Sequence, residues 1–324
     1  MKRNMDALYS QLKSFGHVKA NESLAKYTTF KIGGSAMFLV EVEDAEKLVG
    51  LLNFLVGEGV EYLILAGGSN LLLPDEGVDG VVIKVKSEKL KVKSEIIEAE
   101  AGVLLGAVVN LAAQNGLSGL EWAMGVPGTV GGAVRGNAGA MGCDTKEVIK
   151  AVEVWSDGEI ITCGREECGF AYRESVFKHS KDVILKVFFE LKPGDKAQIL
   201  ATMQRHLKQR IGKYPPYPSA GSLFKNIKLE KWPGDKTKLP PLFLERGTVP
   251  VGWIVEQIGV KGFTVGGAKV SDEHGNFIIN FNKATQKDVL AVVEEVQKRV
   301  YNTFGVQLDP EVEIISNNTL SLCK

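Results

Sequence analysis

The sequence predicts an α+β protein built from three successive units. Apolar runs typical of strands alternate with runs of helical spacing along the 324 residues, a length that suits two or three domains. Glycine accounts for 36 residues and is concentrated in four clusters. Glycine inside apolar sequence is typical of backbone that turns tightly or lies close to a ligand.

The first unit is predicted to be a strand-helix-strand arrangement that ends near residue 87. Its helix begins after Asp44, a capping residue, and its leucines recur at helical spacing. The elements are a short amphipathic helix at 5–15, strands at 37–42, 62–65 and 81–85, and the helix at 45–55.

The second and third units continue this mixture of strands and helices. The second is predicted to contain strands at 90–92, 96–99, 152–155, 160–162 and 183–191 and a helix at 104–115. A predicted helix at 196–211 and a Pro-rich connection lead into the third unit, which is predicted to contain helices at 253–258 and 286–304 and a Lys- and Pro-rich surface excursion at 227–249. We place the domains at residues 1–87, 88–205 and 206–324.

Charge and cysteine content exclude several classes of protein. The 39 basic and 39 acidic residues balance, so the chain lacks the basic excess that nucleic acids and anionic membranes attract. The longest apolar stretch, 101–113, is shorter than the roughly 20 residues that cross a membrane. The four cysteines and four histidines show no metal-ligand spacing. We therefore expect a cytoplasmic protein with free thiols, no metal, no nucleic-acid partner and no membrane insertion. We also expect a monomer.

The loop at residues 66–70, Ala-Gly-Gly-Ser-Asn, directly follows a predicted strand. Consecutive glycines let backbone N–H groups converge on an anion, and serine and asparagine add side-chain hydrogen bonds. The loop suits a pyrophosphate, although a tight turn without a ligand fits equally well. Because neither G-x-G-x-x-G nor a Walker loop occurs, a dinucleotide would have to bind by another scheme.

Residues 125–140 contain six glycines and one proline, and only Arg135 is charged. A flexible linker would be polar and Ser-rich, whereas this segment carries three valines and is expected to be ordered. Small side chains let a flat, partly apolar ligand lie against the backbone. Close packing of two elements without a ligand is the alternative.

Seven blocks in the same order resemble the UDP-N-acetylenolpyruvoylglucosamine reductases, flavoenzymes of peptidoglycan precursor synthesis. They lie at residues 27–34, 66–70, 116–139, 172–178, 218–226, 252–257 and 304–312. The resemblance implies a two-part FAD-binding unit of the vanillyl-alcohol-oxidase type and a C-terminal α+β substrate domain. It implies FAD reduced by NADPH and hydride delivery to C3 of the enolpyruvyl group, which gives UDP-N-acetylmuramate. No histidine lies in the Gly-rich blocks, so we expect FAD to be noncovalent.

The resemblance also implies the cofactor-binding residues. The 66–70 loop would hold the FAD pyrophosphate, and the 125–140 segment would lie along the flavin and ribityl chain. The residues implied are Gly67, Gly68, Ser69, Asn70, Gly125, Pro127, Gly128, Thr129, Gly131, Gly132, Ala133, Asn137, Ala138 and Gly139.

Hydride addition at C3 leaves negative charge at C2 and the carboxylate, so the site needs a cation and a proton donor. By resemblance, Arg173 would bind the carboxylate through its planar fork, Ser222 would donate the proton, and Glu311 would assist. The implied substrate-binding residues are Tyr172, Lys213, Lys225 and Asn226.

Two other functions stay open at this stage. One is a different FAD-linked oxidoreductase of the same fold, and the other is an inactive nucleotide-binding or scaffold protein. The chain lacks the long tyrosine-bearing substrate loop of one family subtype and resembles the short-loop subtype. Tyr214 or Tyr217 would then line the site instead.

Overall fold

Helices and strands are mixed along residues 5–212 and 214–316, the part of the chain that this computed structural model describes. The helices are α1 (Met5–Leu12), α2 (Ala45–Gly57), α3 (Leu105–Gln114), α4 (Val130–Arg135), α5 (Lys196–Arg210), α6 (Pro241–Arg246), α7 (Val251–Gln257) and α8 (Gln286–Phe304). The strands are β1 (His17–Ser23), β2 (Ser35–Val42), β3 (Tyr62–Leu65), β4 (Leu71–Leu72), β5 (Val78–Val85), β6 (Leu90–Lys93), β7 (Ile96–Glu100), β8 (Leu117–Ser118), β9 (Gly139–Ala140), β10 (Cys143–Asp144), β11 (Ile149–Ser156), β12 (Glu159–Gly164), β13 (Val183–Glu190), β14 (Lys192–Pro193), β15 (Ile227–Lys228), β16 (Thr248–Val249), β17 (Thr264–Val265), β18 (Ala268–Val270), β19 (Ile278–Asn280) and β20 (Glu313–Ile314).

The first unit is a four-stranded sheet in the order β1-β2-β5-β3. Strand β5 runs parallel to both β2 and β3, so the carboxyl ends of these three strands meet at one edge. The 66–70 loop leaves the sheet at this edge, which is where α/β sheets commonly bind ligands. Helix α2 covers one face, begins where Asp44 accepts a hydrogen bond from the Lys47 N–H at 2.7 Å, and buries its leucines.

The second unit is an antiparallel sheet in the order β12-β11-β13-β7-β6. One face packs with α3, α4 and part of α5 in a shared apolar core. From the other face, Trp155, Val183 and Leu185 join the core of the first unit. The two units therefore share a packed interface, and α4 is held against the second sheet.

The third unit places α7 and α8 against the small sheet β17-β18-β19. Helix α8 begins with a capping box in which Thr285 and Asp288 bond each other's backbone N–H. The interpretation of 227–249 as a surface excursion is wrong in part, because Trp232 and Leu239 are buried in this core and residues 241–246 form α6. The apolar spacing of these side chains is too irregular to reveal their burial.

The chain crosses between units near both ends. Phe30, Ile32 and Leu72 pack into the third core, and β20 pairs in parallel with β4. The structure has the predicted α+β fold class, with two sheet-bearing units followed by a C-terminal unit. The exact division at 87/88 and 205/206 stays a proposal, and the second boundary lies inside α5. In the described residues no helix combines the length and apolarity of a membrane span.

Candidate active site

The 66–70 loop packs directly against residues 125–140, the Gly-rich segment. A Cβ on Gly67 would lie 2.6 Å from the Gly128 Cα, closer than real Cβ atoms approach other atoms. Gly68 has φ +63°, and a side chain there would also meet the Tyr27 carbonyl. The Gly68 carbonyl accepts a hydrogen bond from the Thr29 N–H at 3.0 Å. Both glycines are therefore required by the geometry of this contact.

Helix α4 begins beside this loop. The Thr129 side chain accepts a hydrogen bond from the Gly132 N–H at 3.4 Å, which caps the helix. Gly131 faces the second sheet, where an added Cβ would lie 2.8 Å from the Ala101 Cβ. Gly132 has more room, since the Cβ it lacks would lie 3.7 Å from its nearest neighbours, which include the Ala66 Cβ. Ala133 is buried next to it.

The other predicted cofactor residues brace the same loops. Ser69 donates to the Pro127 carbonyl at 3.3 Å, and Asn70 donates to the Glu311 carbonyl at 3.1 Å. Gly125 has φ +76° and faces α5. The Ala138 carbonyl accepts a hydrogen bond from the Thr145 hydroxyl. These loops lie at the carboxyl ends of the parallel strands β2, β3 and β5. Their close backbone contacts and glycines with positive φ fit a cofactor with a pyrophosphate, as FAD has.

Arg173 and Glu311 form the central ion pair of the site. The Arg173 Nε donates to the Glu311 Oε1 at 2.5 Å, and its Nη2 donates to the Gly139 carbonyl at 2.7 Å. Their side chains are 21% and 18% exposed, so both remain accessible to a ligand. The pair joins three segments, the Gly-rich segment, the 171–178 loop and the C-terminal unit.

Arg173 lies in a tight turn whose flanking residues, Ala171 and Glu174, exchange two backbone hydrogen bonds of 3.1 Å. Its φ is +56°, a conformation that costs an L-residue about 1–2 kcal/mol. The surrounding structure must supply that energy. Glu174 pairs with Lys225 at 3.3 Å. Burial alone would raise the pKa of Glu174, but Lys178, His179 and Lys225 lower it overall.

Ser222 lies beside Glu311 in the C-terminal unit. It forms a backbone bridge with Phe277, and the next carbonyl, that of Leu223, accepts a hydrogen bond from the Glu311 N–H at 2.7 Å. Asn276 fixes this segment through two hydrogen bonds with the Phe224 backbone, of 3.0 and 2.9 Å. Ser222 is partly exposed, and in the part of the chain that the structure describes its hydroxyl has no hydrogen-bond partner.

Three of the four predicted substrate residues, Tyr172, Lys225 and Asn226, lie near this centre. The Tyr172 hydroxyl accepts a hydrogen bond from the Asn226 N–H at 3.4 Å, and burial raises the pKa of Tyr172. The Asn226 side-chain oxygen accepts from the Val251 N–H at 3.1 Å. Lys213 lies outside the described residues. Tyr214 stacks edge-on against Phe277 at 5.3 Å.

Three basic residues near the site were not predicted as site residues. Arg135 pairs with Glu313 through both nitrogens, and Lys178 donates to the Arg173 carbonyl at 2.7 Å. Lys84 donates to the Ala66 carbonyl, directly before the first loop. Arg135 and Lys178 lie inside blocks that the sequence marks, whereas nothing in the sequence links Lys84 to residue 66.

The remaining candidates for special chemistry have structural roles or none. Cys143, Cys163 and Cys168 are free, as expected, and burial raises the pKa of Cys168 to about 12. Cys323 lies outside the described residues. In those residues no group of three metal-ligating side chains is present. The ring of His274 packs over Gly252, where an added Cβ would lie 2.8 Å from it.

The fold and this site together define an FAD-binding protein with a separate C-terminal domain. A family model described as "FAD binding domain" matches residues 36–164, and a model described as "UDP-N-acetylenolpyruvoylglucosamine reductase, C-terminal domain" matches residues 212–315. The chain is 39% identical over 302 residues to a UDP-N-acetylenolpyruvoylglucosamine reductase of Carboxydothermus hydrogenoformans, covering 92% of this chain and 94% of that protein. The chain belongs to the UDP-N-acetylenolpyruvoylglucosamine reductase family.

Other similar proteins agree with this placement. A UDP-N-acetylenolpyruvoylglucosamine reductase 2 of Symbiobacterium thermophilum is 37% identical, over 97% of both chains. The crystal structure of a UDP-N-acetylenolpyruvylglucosamine reductase from Thermus caldophilus is similar with a TM-score of 0.74 and 36% identity. The similarity covers 93% of this chain and 98% of that one. Family and fold therefore agree over nearly the whole length.

Proposed function

We propose that this protein uses NADPH to reduce the enolpyruvyl group of UDP-N-acetylglucosamine enolpyruvate to UDP-N-acetylmuramate, a step of peptidoglycan precursor synthesis. The observation that carries the proposal is the accessible Arg173–Glu311 pair, which joins the Gly-rich segment to the segment that bears Ser222. Family membership over most of the chain favours this substrate over that of another FAD-linked oxidoreductase.

The Gly-rich loops would hold the cofactor. Gly67, Gly68 and Ser69 would lie at the pyrophosphate, and Gly128 to Gly132 would lie along the flavin end. FAD, when bound, supplies hydride chemistry by accepting hydride from NADPH and donating it to carbon. Side chains of this protein would bind the substrate, stabilise the developing charge and donate the proton.

Arg173 would bind the substrate carboxylate and stabilise the charge that develops on it, because a guanidinium fork suits two oxygens. Glu311 would hold that guanidinium in place through its 2.5 Å hydrogen bond. Ser222 would donate a proton to C2, since it directly precedes Leu223, whose carbonyl bonds the Glu311 N–H, and no hydrogen bond holds its hydroxyl in the described residues. Lys225 and Asn226, on the same segment, would bind the nucleotide part of the substrate.

The test is rapid mixing of purified, FAD-loaded protein under anaerobic conditions. We expect NADPH to bleach the flavin absorbance and the enolpyruvyl substrate to restore it. Reduction by NADPH without reoxidation by this substrate would favour a different oxidoreductase. Protein that never binds flavin would contradict the whole proposal. The predicted noncovalent binding is checked by acid precipitation, which should leave flavin in the supernatant.

The predicted cytoplasmic location and monomeric state belong to the same proposal. Both nucleotides of the reaction, NADPH and a UDP-sugar, are made inside cells, which supports the location. Light scattering of the FAD-loaded protein measures the oligomeric state, and a mass near 35.1 kDa is the expected result.

A further inference from the structure

The turn that carries Arg173 is held by contacts outside the reacting groups. Because Arg173 has a positive φ, its backbone does not favour this conformation by itself. The direction of the guanidinium depends on that backbone. Whatever fixes the turn therefore determines where the cation lies relative to the substrate.

Both polar atoms of the Asn137 side chain form hydrogen bonds with protein groups at or near this turn. Its Nδ2 donates to the Ala171 carbonyl at 2.8 Å and to the Asp144 Oδ2 at 3.2 Å, and its Oδ1 accepts from the Lys146 N–H at 3.0 Å. The residue is 0% exposed. A side chain that is fully buried and makes three protein hydrogen bonds acts on protein groups, so its contribution to the site is made through the turn.

Lys178 fixes the turn from its other end. Its Nζ donates to the carbonyl of Arg173 itself at 2.7 Å. Burial lowers the pKa of Lys178, and the nearby Glu174 opposes that effect. A half-buried ammonium that bonds a backbone carbonyl restrains the peptide on which the catalytic side chain is built.

Hydrogen bonds join every second residue of the Gly-rich segment, from 135 to 139, to the loop that bears Arg173. The Arg135 carbonyl accepts a hydrogen bond from the Ser175 hydroxyl, and the Asn137 side-chain amide donates one to the Ala171 carbonyl. The Gly139 carbonyl accepts one from the Arg173 guanidinium. The Gly-rich segment is thus joined at every second residue to the loop that bears Arg173. A shift of either segment would be transmitted to the guanidinium.

We propose that Asn137 and Lys178 are positioning residues that hold the strained turn so that Arg173 meets the substrate carboxylate. This inference rests on the proposed function and deepens it. It also gives Asn137, which resemblance places among the cofactor-binding residues, a role toward the substrate side. Displacement of a reacting group by about 1 Å costs a rate factor on the order of 100, so the effect is measurable.

The test combines Asn137→Ala and Lys178→Met with Arg173→Ala in two double-mutant cycles. In pre-reduced protein, we expect each single variant to slow reoxidation by the enolpyruvyl substrate by about 10- to 100-fold. In Lys178→Met, flavin reduction by NADPH and the FAD dissociation constant should change by no more than about twofold, and in Asn137→Ala the slowing of reoxidation should exceed any slowing of flavin reduction. When Arg173 is already alanine, each variant should lose no more than about a further twofold, because a residue that acts through Arg173 has nothing left to position.

Matched controls separate positioning from stability. Asn280→Ala removes a buried amide that bonds the Phe30 carbonyl and the Ala284 N–H, and Lys186→Met removes a half-buried lysine that pairs with Glu98 and Glu153. Both controls should lower the melting temperature and leave the reoxidation rate within about twofold, with or without the Arg173 side chain.

Two results would overturn the inference. One is equal slowing of both half-reactions together with loss of FAD affinity, which describes general damage. The other is slowing by Asn137→Ala and Lys178→Met that is undiminished in the Arg173→Ala background. If Asn137→Ala does not fold, Lys178→Met carries the same cycle. Failure of the proposed function is distinct, because wild-type protein itself would then not be reoxidised by the enolpyruvyl substrate.

Discussion

The cofactor loops and the Arg173–Glu311 centre are built by opposite means. The loops at 66–70 and 125–132 rely on the absence of side chains, since a Cβ on Gly67 would meet Gly128. The centre relies on side chains from distant parts of the chain, since Arg173 and Glu311 lie 138 residues apart. One region is therefore sensitive to added atoms, and the other is sensitive to lost or displaced atoms.

The largest effect is expected where the chemistry needs a single hydroxyl. Ser222→Ala should slow reoxidation by the enolpyruvyl substrate by about 100- to 10,000-fold, the usual range for a general acid. Flavin reduction by NADPH should stay near normal, because that step needs no proton at C2. Stopped-flow absorbance of each half-reaction measures both rates. Wild-type reoxidation in this variant would remove Ser222 as the acid and leave Glu311 or a water as candidates.

The cofactor loops should respond instead to an added side chain. Gly67→Val should weaken FAD binding by roughly 10- to 100-fold, because overpacking commonly costs about 1–3 kcal/mol. Equilibrium titration of FAD into apoprotein measures this. The matched control is Gly106→Ala in α3, where an added Cβ would meet nothing within 4 Å, so FAD affinity should not change. Equal affinities in the two variants would contradict the predicted role of the loop.

Removing the negative charge of the Arg173–Glu311 pair should have a smaller effect on the reaction rate. Glu311→Gln keeps an oxygen near Arg173 but replaces a charge-assisted hydrogen bond by a neutral one. We expect reoxidation to slow by about tenfold, with a raised apparent KM for the enolpyruvyl substrate. Steady-state kinetics with varied substrate separates the two parameters. A variant that loses FAD instead would show that the Glu311 side chain serves the cofactor loops and would contradict its predicted role at Arg173.

The smallest effect is expected from Lys84→Met, which tests whether a side chain as well as the glycines supports the cofactor loops. Lys84 donates to the Ala66 carbonyl, and burial lowers its pKa. Lys84→Met should weaken FAD binding by about 2- to 10-fold, the value of one hydrogen bond. Lys186→Met is the control and should leave FAD affinity unchanged. An effect as large as that of Gly67→Val would mean that a side chain determines the loop as strongly as the glycines do.

Much of the fold was predictable because its signals are local. The strand at 62–65, the helix after Asp44 and the long helix at 286–304 follow from apolar spacing and capping residues, and the structure contains each of them. Strand β1 was not predicted, since His17–Ser23 carries little apolar pattern. It forms because its edge pairs with β2, a tertiary effect.

The α+β fold class, the Gly-rich loops and the family can be read from the sequence alone, because they depend on residue types at fixed spacing. The folded structure was needed to show that Arg173 contacts Glu311 and Gly139, that Asn137 bonds the Arg173 turn, and that Lys84 bonds the Ala66 carbonyl. These contacts escape sequence analysis because their residues are far apart along the chain. Backbone conformation is specified by neighbours within a few residues, whereas these side chains meet only after the sheets have packed and the C-terminal unit has docked.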